Sequence, residues 1–347
     1  MNALPRPLAR TLRWTHRPAV VLATWLGLVL ALLAVALASG SSEIALADLP
    51  RLLFMPDDSG AAEIVHRLRL PRALAAIATG ALLALAGALM QVLLRNPLAD
   101  PYVLGLSGGA ALGALGVIAL GGGLLALHLG AFAGALFSVL AVFGLAHHEL
   151  GRIDSASSPD AAPRLLLTGV MMSALTMAGV SLILTLAPND QLRGMLFWML
   201  GDLSGADMPA AGLLAPVLLC ALLWPFGREL NLLLRGPGPA QMLGVNVGRL
   251  RALIFLLASA AAALAVATAG TIGFVGLVVP HGLRLWMGND QRVLLPASAL
   301  AGAAFLLAAD TLARTLMAPQ QLPVGAITAV VGAPLFIVLL TRGGGRK

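Results

Sequence analysis

The sequence predicts an all-α protein that crosses a membrane about ten times. Three observations carry this. Hydrophobic residues make up 59% of the chain and charged residues only 11%. Mean hydropathy is +0.93. The apolar stretches run on for about 20 residues each, the length of a helix that spans a hydrocarbon core. A soluble domain carries about 25% charged residues, so a soluble reading fails. Continuous apolar runs, without period-two alternation, mean helices rather than a barrel. The 39 glycines suit helices that meet in lipid, where small residues let backbones approach.

The net charge of +7 does not point to nucleic acid. The arginines stand at the ends of apolar segments, which is how membrane proteins set orientation, and no basic stripe with interleaved aromatics is present. Cys220 is the single cysteine, which excludes an intrachain disulfide and a cysteine metal motif. Lys347 is the only lysine, at the last position. A Walker A loop needs a lysine against the nucleotide phosphates, so ATP-driven work would require a separate ATPase subunit. No cofactor or metal is expected. His147, His148 and Glu149 are adjacent, point in different directions on a helix and read as a solvated helix end.

In chain order, the basic segment 1–18 (Arg6, Arg10, Arg13, Arg17) leads into an apolar run, 19–38. Ala36-Leu37-Ala38 imitates a signal-peptidase site, but the run exceeds an h-region of about 7–15 residues; a retained first span with a cytoplasmic basic end is expected. Residues 40–66 read as an extracytoplasmic loop with a short amphipathic piece. Spans follow at 71–93, 102–120 and 124–146, separated by Asn96–Pro101 and a triple glycine. The polar stretch 147–163 reads as a cytoplasmic loop and 164–186 as the fifth span, partly polar through Ser173, Thr176, Ser181 and Thr185. Residues 191–207 are short and amphipathic, with Trp198 suited to an interface, and 208–226 form the sixth span. The arginine-rich segment 228–251 is placed in the cytoplasm. Spans at 252–269, 293–316 and 324–340, with a shorter piece at 270–287 interrupted by Pro280-His281, lead to a basic cytoplasmic C-terminus, 342–347. Arg51, Arg67, Arg69 and Arg72 are left on the outside, against the positive-inside bias.

Three signals could carry chemistry. Gly105-Leu106-Ser107-Gly108 resembles an intramembrane serine protease motif if His281 were its base. Asp310 inside an apolar run is a functional-site candidate by default, with Arg314 four residues on and able to pair on one helical face; an ion-coupled secondary transporter would use such a carboxylate. His281 after Pro280 reads as a helix break with a hydrogen-bonded histidine.

RLPR (69–72), the spacing of Gly80, Gly87 and Gln91, NPLADPYVLGLSGGA (96–110), GTIGFVGLVVPHGLRLWMGNDQRVLLPASALAGAAFLLAADTLAR (270–314) and PVGAITAVVGAPLFIVLL (323–340) together resemble the FecCD-type permeases. These are membrane subunits of ABC importers for iron-siderophore, haem and cobalamin, and the resemblance runs from about residue 20 to the end.

The resemblance implies the type II importer permease architecture: a permease domain over 19–341 in the bacterial inner membrane, paired with a second permease as a homodimer or as a pair of related chains. Cytoplasmic ATPases and a periplasmic binding protein would be its partners. It implies docking of the binding protein by Arg69, Arg72 and Arg314. It places ATPase coupling in GPGPAQMLG (236–244), where Gly236, Ala240, Gln241, Leu243 and Gly244 fall, although Pro237 and Pro239 depart from the family's more polar residues. The cytoplasmic gate falls near Ala162 and Pro163, without the small hydroxyl residues some members show, and Ser173 and Thr176 are candidate pathway residues. Gln321 stands where the family commonly has Glu, which removes a negative charge near Arg314. The chain itself would not be an enzyme.

Overall fold

The computed structural model describes residues 18–40, 42, 44–55, 58–152, 161–206 and 210–343, with backbone alone at 146–152, 161–165, 210–211, 340 and 342–343. The N-terminal arginines, the middle of the polar stretch after 152 and the C-terminal tail from 344 lie outside the described residues.

All regular structure among the described residues is helical. α1 (Pro18–Ala38) and the short α2 (Leu49–Phe54) precede α3 (Gly60–Glu63), which continues through a π-helical stretch, Ile64–Arg69, into α4 (Leu70–Leu93). A 3-10 turn, Pro101–Leu104, leads into α5 (Leu106–Ala119), followed by α6 (Leu124–Arg152), α7 (Ala161–Leu186) and α8 (Asn189–Met199). Then come α9 (Leu214–Leu223), α10 (Gly227–Leu234), α11 (Pro237–Met242), α12 (Val247–Ala269), α13 (Val275–Met287), α14 (Gln291–Thr315) and α15 (Val324–Gly343). Seven of the described helical segments are long and apolar enough to cross a membrane, α9 and α10 together making one of them; α5 and α15 are shorter apolar helices. With α13, these are the ten apolar passes that the hydropathy pattern anticipates.

Helix starts follow local chemistry. Asp100 Oδ1 accepts from Tyr102 N at 2.8 Å, Asn246 Oδ1 from Arg249 N at 3.1 Å and Asp290 Oδ1 from Arg292 N at 3.1 Å, each supplying an acceptor to an amide with no partner inside its helix. Pro71, Pro237 and Pro101 sit in first turns, where a missing N–H costs nothing.

α4 is the axis of the bundle. Inside the protomer 94% of its apolar window is buried, against 17% for α7. Sequence explains the difference. A Cβ on Gly80 would overlap the carbonyl of Gly302 on α14, and a Cβ on Gly87 would overlap the carbonyl of Gly276 on α13. α5 and α6 meet the same way, through Gly109 against Gly134 and Gly113 against Gly130. In lipid, where apolar burial between helices gains little, this backbone approach is what holds helices together.

Three expectations are corrected. α6 does not stop near residue 146 but runs on to Arg152; HHELGR has no proline, and its one glycine falls only at the next-to-last position of the helix. Trp198 is buried rather than interfacial; its carbonyl lies against Gly270, whose φ of +68° turns the chain there. Pro280 does not interrupt α13. Proline removes one intrahelical hydrogen bond and frees a carbonyl one turn earlier. Here Gln91 Nε2 points at the carbonyls of Gly276 and Leu277, at 3.5 and 3.3 Å, so a side chain from α4 answers the carbonyls next to the break.

Gly87→Ala should lower the melting temperature of the purified protein by an amount corresponding to roughly 1–3 kcal/mol of overpacking. Gly116→Ala, where a Cβ would meet nothing within 4 Å, should leave it unchanged or higher. Differential scanning fluorimetry in detergent compares the two.

Candidate functional site

Two polar clusters stand at opposite ends of the bundle. At one end α14 brings Asp310 up between two arginines. Asp310 is fully buried. Arg72, from the first turn of α4, donates Nε and Nη2 to its Oδ1 at 2.9 and 2.8 Å, and Arg314 donates Nε to its Oδ2 at 3.2 Å. The i, i+4 pairing on α14 is the one the spacing anticipates; Arg72, 238 residues away, is the partner that spacing cannot reveal. Arg72 also donates Nη1 to Gln321 Oε1 at 2.6 Å, so the neutral side chain at 321 still serves as an acceptor.

The remaining donors of the cluster go to the end of α1. Arg314 reaches Ala36 O at 3.1 Å and Ser39 O at 3.4 Å, while Arg69 reaches Leu37 O at 2.7 Å and Ala38 O at 2.8 Å. Arg69 further contacts Ser42 through its carbonyl and, at 3.0 Å, its hydroxyl. Four consecutive carbonyls at a helix C-terminus, unpaired within the helix, are thereby capped by two guanidinium groups that also oppose the negative end of the helix dipole. Arg69, Arg72 and Arg314 thus converge, but Arg69 and Arg72 are buried, Arg314 is half-buried, and all three are bonded within the chain. Against three guanidinium charges stands one carboxylate. Beside them opens a cavity of about 500 Å³ lined by these arginines, Ser42, Gln321 and Arg67. Arg67 is different: its side chain is 79% exposed and pairs loosely with Glu63 at 3.4 Å.

At the other end α10, packed on the bundle through the buried Leu230 and Leu233, leads into α11, whose tip is exposed. Gly236, with φ of +119°, turns the chain between them, and the two prolines of α11 lie in its first turn, so PGPAQM is a regular short helix. Ala240 is buried and anchors it, with Val245 N bonded to Ala240 O at 3.0 Å. Gln241 and Gly244 are exposed. Met242 and Leu243 are 89% and 61% exposed, an apolar tip on a polar end.

The other sequence candidates separate. His281 lies on α13 against Phe336, its Nδ1 without a partner, and no hydrogen bond joins it to Ser107; no nucleophile–base pair forms. Ser107–Gly109 instead pack: a Cβ on Gly108 would overlap Thr176, and Gly109 abuts Gly134. Thr176 is buried there, its Oγ1 turned back to Met172 O at 2.9 Å, so in the protomer it serves α5–α7 packing rather than a wet surface. Ser173, one turn earlier, is half-buried. Ala162 and Pro163 begin α7 with backbone alone described. Sequence reasoning missed a third polar group, in which Arg284 donates Nη1 to Gln91 Oε1 and Nε to Asn289 Oδ1, both at 2.8 Å. Its signal was available: Gln91 and Arg284 are polar side chains within apolar segments, which are rarely there without a partner.

Asp310→Asn leaves two buried guanidinium groups without a counter-charge. Breaking a buried pair in this way costs about 3–5 kcal/mol, and a lower melting temperature with proteolysis appearing near the end of α1 is the expected result.

Comparison with known proteins identifies the family. The profile of the FecCD transport family matches residues 28–342. The cobalamin import system permease BtuC of Halobacterium salinarum is 42% identical over 280 residues, covering 80% of this chain and 73% of its own. The hemin transport system permease HmuU of Yersinia pestis is 42% identical over 285 residues, covering 79% and 82%. A solved ABC transporter chain in an inward-facing conformation, assigned to the metal-chelate type, superposes with a TM-score of 0.79 at 30% identity, over 93% of this chain and 99% of its own. This chain belongs to the FecCD transport family of membrane permeases.

Proposed function

We propose that the chain is the permease of a binding-protein-dependent ABC importer that carries an iron chelate, siderophore or haem, or a cobalamin across the bacterial inner membrane. Family membership carries the permease reading. Two relatives named for cobalamin and hemin transport support the substrate class. Arg69, Arg72 and Arg314 then face the periplasm, α11 faces the cytoplasm, and the path runs between two such chains. α7 supports that last placement, since so little of its apolar surface is buried within one protomer. Ser173 and the start of α7 at Ala162 and Pro163 would border the path.

Each end suits its partner. The Arg69–Arg72–Arg314 cavity carries excess positive charge, which favours an acidic face on the binding protein and sets encounter rate and register more than affinity. The exposed Met242 and Leu243 on α11 suit an apolar cleft of an ATPase, a small knob that buries on contact. Ion-coupled transport through Asp310 is disfavoured, because that carboxylate is enclosed by two guanidinium groups with no exposed atom.

Two measurements test the reading. Proteoliposomes holding the permease with its ATPase should take up substrate in an ATP-dependent, vanadate-sensitive manner; uptake abolished by a protonophore yet indifferent to ATP would reject it. Arg67→Glu should slow association of the binding protein several-fold at low salt, a difference that shrinks toward 1 M salt, where the Debye length is about 3 Å. Because Arg67 makes no buried contact, its reversal separates docking from folding, which reversal of Arg69 or Arg314 cannot do.

A further inference from the structure

α10 runs directly into α11, with only Arg235 and Gly236 between them. One face of α10 meets the start of α14. Gly227 lies so close that a Cβ there would come within 2.6 Å of Arg292 Cγ. Asn231, four residues on and therefore on the same face, makes two bonds across the same contact. Its Nδ2 donates to Asp290 Oδ1 at 2.8 Å, and its Oδ1 accepts from Gln291 N at 2.9 Å. Gln291 is the first residue of α14, and its amide has no partner within that helix. The N-terminus of α14 is thus capped twice. Asp290 caps it from its own chain end, and Asn231 caps it from the helix that carries α11.

We propose that Asn231 is the positioning residue through which movement of α11 is passed to α14, and that α14 delivers it to the arginine cluster at the far side of the membrane. The path is continuous. α14 has 25 residues, about 37 Å at 1.5 Å per residue, and is helical throughout. Near its far end Asp310 holds Arg72 of α4, and Arg314 holds the carbonyls of Ala36 and Ser39 at the end of α1. The turn that Asn231 grips is also bonded sideways: Asn289 accepts from Arg284 of α13, which in turn holds Gln91 of α4. A displacement of α10 by the ATPase therefore reaches α14 through the close Gly227–Arg292 contact and, with a fixed direction, through the amide side chain of Asn231. Hydrogen bonding makes that grip directional, since only a side chain with both a donor and an acceptor satisfies the two partners.

The proposal rests on the reading of 236–244 as the ATPase-facing segment. Its test uses the permease assembled with its ATPase in proteoliposomes, with the binding protein supplied, and reads stimulation of ATP hydrolysis and substrate moved per ATP. Asn231→Asp replaces the donor with a carboxylate facing the Asp290 carboxylate. Stimulation by the binding protein should fall roughly fivefold, the equivalent of about one hydrogen bond, and uptake per ATP should fall with it. Combining Asn231→Asp with Asp290→Asn removes the carboxylate–carboxylate repulsion and reverses the polarity of the bond, although the oxygen that accepts from Arg292 N is given up; stimulation should recover at least in part. Stimulation by Asn231→Asp equal to wild type, or no recovery in the double variant, would overturn the proposal. A wild-type permease that recruits no ATPase would instead remove the functional reading beneath it.

Discussion

In a bilayer the backbone has no water to turn to, and the end of α1 is where this constraint organises most of the molecule. Four successive carbonyls there need donors, and no amide within the helix supplies them. Arg69 and Arg314 supply them from two other helices. Holding guanidinium groups out of solvent calls for a counter-charge, which Asp310 provides to Arg314 while also holding Arg72. The positive face that a binding protein would meet is thus a by-product of capping a helix, and the charges that would attract such a partner are also the charges that keep α1 attached to α4 and α14.

The same rule recurs wherever the backbone is left short of a partner. Pro280 deprives α13 of a hydrogen bond, and Gln91 turns an amide toward the exposed carbonyls. The first amide of α14 is met by Asn231. In each case a polar side chain inside or beside an apolar helix is explained by one identifiable backbone group. These polar side chains mark where regular helix geometry fails to satisfy itself.

Much of this was legible in the sequence and some was not. Spans, their order and the Asp310–Arg314 pair follow from period and spacing, because they are local. Arg72 as the second partner of Asp310 is not local, and neither is Asn231, whose partners lie 59 and 60 residues further on. Composition cannot distinguish Trp198 at an interface from Trp198 in a core, since both are places for a large amphipathic ring. The persistence of α13 through Pro280 is hidden for a similar reason. Proline predicts a break unless another helix repairs it, and the repair comes from α4. The prolines of α11 look disruptive by residue type and are harmless by position, which only the helix boundary reveals.

The glycine contacts of α4 have a mechanical consequence. Helices that touch through side chains can absorb a shift by changing rotamers, but α4 meets α13 and α14 backbone to backbone, at Gly87–Gly276 and Gly80–Gly302. No torsion is available there to take up slack. These three helices therefore travel as a single rigid body, and any change of access must be accommodated outside it, along the flank where α7 buries little of its apolar window.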